Sequence, residues 1–60
     1  MNVKELISVI FDDVIIYKAK DDDFEDIYKG DKDSIPSNIL EMKVNIVGAK
    51  RKGVIDIQVF

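Results

Sequence analysis

The 60 residues contain twelve Asp and Glu against nine Lys and Arg, a net charge of −3, and lack His, Cys and Trp. Without Cys there is no disulfide and no thiolate metal site. Without His there is no side chain whose ordinary titration serves acid–base catalysis near neutrality. A chain of this length forms one domain, residues 1–60, and folding hides only about 60% of the surface its unfolded form exposes, so the core has to be economical.

A hydrophobic content of 47% suits a globular domain. The longest aliphatic or aromatic run, Val14-Ile15-Ile16-Tyr17, is far short of a membrane span, and the start of the chain does not resemble a secretory signal. The expectation is a cytoplasmic protein with no membrane attachment.

Val3, Leu6, Ile7 and Ile10 recur at helical spacing and predict a short amphipathic helix. Asn2 and Glu5 have the spacing of a capping box at its start. Asp12 and Asp13 mark the exit. From Val14 to Ala19 the β-branched and aromatic content predicts a strand, and the Asp21-Asp22-Asp23 turn leads into a second, Phe24 to Lys29. In that strand Phe24, Asp26 and Tyr28 alternate with Glu25, Ile27 and Lys29.

Ser34 to Leu40 reads as a rigid turn or a single helical turn around Pro36, anchored by Ile35, Ile39 and Leu40. Two more strands follow, the first with Met42, Val44 and Ile46 on one face and the second with Ile55, Ile57 and Val59. Between them Gly48 to Gly53 forms a charged hairpin loop. The expected fold class is α+β: a short N-terminal helix packed on a four-stranded, mainly antiparallel sheet in the order α-β-β-turn-β-β. A strongly bent or barrel-like sheet, or a homodimer, is the alternative if both faces carry apolar side chains.

Charge is unevenly distributed. Residues 12–33 hold nine of the twelve acids against four lysines, whereas residues 43–53 carry four cations and no acid. In the acidic stretch Asp21, Asp22, Asp23, Glu25 and Asp26 are candidates for binding a basic partner, set against the plainer role of Asp in turns and on solvated faces. A calcium loop starting at Asp21 would place Asp26 where Gly is required and Lys32 where Glu is required, so no metal site is assigned. Lys50, Arg51 and Lys52 are candidates for gripping nucleic-acid phosphate, but no aromatic is interleaved with them and the net charge is negative, so a solvated hairpin tip is favoured.

The aromatic residues Phe11, Tyr17, Phe24, Tyr28 and Phe60 are expected chiefly in the core, with Phe60 either capping it or standing at an interface. Catalysis is disfavoured: Ser8, Ser34 and Ser37 lack a nucleophile-elbow sequence, and Gly30, Gly48 and Gly53 form no phosphate-binding loop. The expectation is no enzyme and no cofactor.

Met1-Asn2-Val3-Lys4-Glu5-Leu6-Ile7, the Asp-rich turn into Val14-Ile15-Ile16-Tyr17, then Ile27-Tyr28-Lys29-Gly30, Ile35-Pro36-Ser37-Asn38-Ile39-Leu40, Val44-Asn45-Ile46 and Ile55-Asp56-Ile57-Gln58-Val59 together resemble, in order and spacing, small phage and prophage proteins of Gram-positive bacteria. The basic tip Lys50-Arg51-Lys52 departs from that likeness, since such proteins more often carry acidic or Gly-containing residues there. The resemblance implies a phage or prophage setting, and with it a non-catalytic module that binds a host protein, for instance a defence component. It implies no particular functional residue. A self-associating accessory protein and a weak nucleic-acid binder are the alternatives.

Overall fold

The computed structural model describes residues 1–60. Helix α1 spans Val3–Ile7 and is followed by strands β1 (Asp13–Lys20) and β2 (Asp23–Gly30). A 3-10 turn at Lys32–Ser34 and a one-turn helix, α2 (Ser37–Leu40), lead to β3 (Val44–Arg51) and β4 (Val54–Val59). The α+β class and the four strands agree with the expectation, as does the helical turn after Pro36. No helix is long and apolar enough to cross a membrane.

Asn2 caps α1 as its spacing predicts. Its side chain accepts from the Glu5 amide at 2.8 Å while the Glu5 carboxylate accepts from the Asn2 amide at 3.0 Å. Both donors would otherwise be orphaned at the helix start. Asn2→Ala is expected to cost about 1 kcal/mol, read as a lower urea midpoint with unchanged slope. The helix stops at Ile7, yet Ile10, beyond it, still packs against the core.

The strand order is β2-β1-β4-β3. Both hairpins are antiparallel, but β1 and β4 pair in parallel, so the sheet is mixed rather than purely antiparallel. It is also open: β2 and β3 are edges and no barrel closes. Apolarity accounts for the arrangement. β1 and β4 supply Val14, Ile15, Ile16, Ile57 and Val59, all buried, and the two central positions are where a strand is covered on both sides. Charged β2 takes one edge, where Asp23, Glu25, Asp26 and Lys29 stay in water.

One face of the sheet carries the core. Val14, Ile16, Ile57 and Val59 lie beneath Val3 and Leu6 of α1 and beneath Ile35 and Ile39 at α2. The opposite face has no helix over it.

Two irregularities change which residues share a face. In β2 the register slips so that Ile16 faces Tyr28 but Tyr17 faces Asp26, leaving Ile27 unpaired. Tyr28 therefore joins the core side while Asp26 joins Phe24 on the open side, against the simple alternation expected. In β3 an extra residue at Asn45 places Val44 opposite Val59 but Ile46 opposite Gln58. Ile46 is thereby turned onto the open face, where it is 53% exposed. A bulge adds one residue to one strand and reverses the facing of everything beyond it.

Tyr28 packs against the core, but the three phenylalanines depart from the expected core role. Phe11 is 94% exposed and Phe60 73% exposed, so Phe60 does not cap the core. Phe24 is also exposed, and both tyrosines are half-buried. A sheet covered on only one face fills that side with aliphatic side chains and has no second layer in which to bury rings.

Candidate functional site

The two hairpin tips lie at opposite ends of the sheet. Asp13 of β1 is in register with Val54 of β4, and Lys18 with Val59. The β3–β4 tip, with Lys52 and Gly53, is therefore at the start of β1. The β1–β2 tip, with Asp21 and Asp22, is at its end. Asp12, Asp13 and Asp31, however, lie at the same end of the sheet as the basic tip, so the long acidic stretch of the sequence is divided between both ends.

Asp21 adopts a left-handed conformation, φ 54°, which Asp tolerates better than most residues and which closes the tight turn between Lys20 and Asp23. The Asp23 carboxylate accepts from the Phe24 amide at 2.8 Å. Asp21, Asp22, Asp23, Glu25 and Asp26 are all exposed. They do not form one patch. Pairing with Lys20 and Lys18 puts Asp23 and Glu25 on the helix side of the sheet, while pairing with Ala19 and Tyr17 puts Phe24 and Asp26 on the open side. Glu25 meets Lys20 at 3.6 Å, an exposed ion pair of small energetic weight. No three carboxylates converge as a metal-binding group would.

The open face contains a shallow hollow of about 230 Å³. Ile15 and Tyr17 form its floor, Phe24 and Asp26 border it from β2, and Lys50, Arg51 and Asp56 border it from the other side. The Tyr17 and Phe24 rings meet edge to face, with centroids 5.5 Å apart and planes at 88°, the favoured geometry for an aromatic pair. Phe24 is held in place by Tyr17 yet remains 63% exposed.

Part of each charged candidate group thus reaches a common site: Asp26 from the acidic set, Lys50 and Arg51 from the basic set. Lys52 stays at the far turn, and Asp21 and Asp22 project from the other. The sequence reading missed Asp56. It is the single buried charged residue, 6% exposed, and it lies opposite the irregular end of β3. Gly48 faces Asp56 and Arg51 faces Val54, so β3 has one residue more than β4 over this span. The Asp56 carboxylate accepts from the Lys50 amide at a long 3.4 Å and pairs with the Arg51 guanidinium at 3.8 Å. One acid within the apolar run Val54-Ile55-Asp56-Ile57 was the available signal, because a carboxylate is seldom buried without partners.

Asp56→Ala is expected to cost about 1 kcal/mol by leaving the Lys50 amide without its acceptor. Asp56→Asn, which keeps an oxygen acceptor, is expected to lose less. Equal losses in urea denaturation would instead assign the stabilisation to the charge on Asp56.

Comparison with protein-family models, with curated proteins and with solved structures returns no match.

Proposed function

We propose that the chain is a non-catalytic binding module that captures a basic segment of another protein through the β1–β2 hairpin. The observation that carries this reading is the setting of Phe24: an aromatic ring 63% exposed, braced by Tyr17, with Asp26 on the same face and the exposed acids Asp21, Asp22, Asp23 and Glu25 along the same hairpin. Protein interfaces concentrate binding energy in aromatic anchors and use charge at the rim to select partners and speed encounter. Phe24 has the anchoring role and the carboxylates the selecting one. The resemblance to phage and prophage proteins makes a cytoplasmic host protein the proposed partner.

The nucleic-acid alternative through Lys50, Arg51 and Lys52 is less well supported, because Arg51 is turned toward the buried Asp56 and part of the tip's charge is neutralised there. The test is affinity capture from host lysate with identification of the bound protein by mass spectrometry. Reversing the charge at Asp22 and Asp23 to Lys is expected to abolish capture.

A further inference from the structure

The two edges of the sheet are protected differently. β2 carries Asp23, Glu25, Asp26 and Lys29 along its length, whereas β3 from Val44 to Ala49 has no charged residue and no Pro. Charge on an edge strand is a common barrier to further strand pairing. The stretch Asn45–Ala49 lacks it.

The first part of the β3 outer edge is already occupied by this chain. The Val3 amide donates to the Met42 carbonyl at 2.9 Å, the Val44 amide donates to the Met1 carbonyl at 2.9 Å, and Asn2 faces Lys43 in an antiparallel bridge. Beyond Val44 this added strand ends, and β3 has no neighbour on its outer side. Five residues, Asn45 to Ala49, leave an open edge about 17 Å long. Ile46, on the open face, is 53% exposed, and Val47, on the helix side, is 47% exposed. A strand laid along this edge would cover both.

The charges at its borders select the occupant. Lys43 stands at one end and Lys50, Arg51 and Lys52 at the other; along β3 and its neighbour β4 these four cations meet only Glu41 and Asp56, because Asp12, Asp13 and Asp31 lie beyond β4, on the β1–β2 side of the sheet. Antiparallel pairing of β3 with β3 of a second copy, centred on Ile46 and Val47, would set Lys43 against Lys50 of the other copy. That repulsion opposes self-pairing, whereas a strand with carboxylates near its ends meets opposite charge at both borders.

We infer that β3 is an acceptor edge for an extended acidic segment of a partner protein, which adds to the sheet as a fifth strand at Asn45–Ala49. This surface lies at the opposite edge of the sheet from the acidic hairpin and does not depend on it.

The test uses the full chain, labelled for amide NMR, and two short probe peptides of alternating Val and Thr. One has paired Glu at both ends and the other paired Lys. The Glu probe is expected to shift the amides of Asn45–Ala49 and to bind about tenfold more tightly than the Lys probe at low salt, an advantage that added salt reduces. Ile46→Glu, a change at an exposed edge position that keeps the native amide pattern elsewhere, sets a like charge against the Glu probe on the edge itself and is expected to weaken its binding at least as much. Absence of binding, equal affinity for both probes, shifts centred on β2, or unchanged binding by the Ile46→Glu variant would overturn the proposal. Concentration-dependent shifts at Asn45–Ala49 without peptide would also overturn it, by assigning the edge to a second copy.

Discussion

Ile57→Ala is expected to destabilise the molecule by about 2–5 kcal/mol and so to remove a large share of its total stability. Ile57 is fully buried in central strand β4, in register with Ile16 on one side and Val47 on the other. Truncation removes apolar contacts from both neighbouring strands and leaves a cavity that hydrogen-bonded backbones cannot close. The effect is large because the domain is small. Only ten of 60 residues are buried, and total stability at this length is on the order of 3–9 kcal/mol. Ile46→Ala, at a half-exposed position of the edge strand, serves as the matched control and is expected to cost far less. Urea denaturation followed by circular dichroism measures both. A loss below about 1 kcal/mol for Ile57→Ala would contradict the assigned core.

The second large effect concerns binding rather than stability. Asp22 is at the turn and Asp23 at the start of β2, both exposed. Neither takes part in a salt bridge, and their one side-chain hydrogen bond is the one the Asp23 carboxylate accepts from the Phe24 amide. Replacing both with Lys is therefore expected to leave the fold intact while changing the hairpin charge by four. A basic partner that gained attraction from two carboxylates would instead meet two ammonium groups beside Phe24. Mutual repulsion of like charges at an interface, added to the lost attraction, is enough to abolish capture.

Much of the fold was legible in the sequence because its signals are local. The capping box of Asn2 and Glu5, the Asp-rich turn and the helical turn after Pro36 each depend on residues within a few positions of one another. The parallel pairing of β1 with β4 depends instead on competition among strands for the central places, which chain order does not display. The bulges at Ile27 and Asn45 were equally hidden. Period-two patterning assigned Asp26 to the same face as Tyr28, and Ile46 to the same face as Val44; one extra residue in each strand separates them.

The site was legible only in pieces. The acidic and basic runs were visible as composition, but their distribution over two faces and two ends required the register. That Phe24 and Asp26 share a hollow with Lys50 and Arg51 follows from the open face of the sheet, and the part played by Asp56 follows from a bulge that the sequence does not announce. The phenylalanines misled for a related reason: their burial preference presumes a second covering layer, which a chain with two short helices does not supply.

The most direct test of the central claim is a side-by-side capture from host lysate with three baits, each verified as folded by circular dichroism. They are the unaltered chain, the variant carrying Asp22→Lys and Asp23→Lys, and a variant in which Lys50, Arg51 and Lys52 are replaced by Ala. A basic host protein retained by the first and third baits and lost from the second is the predicted result. Capture that survives reversal at Asp22 and Asp23 but disappears with the basic tip would contradict the account.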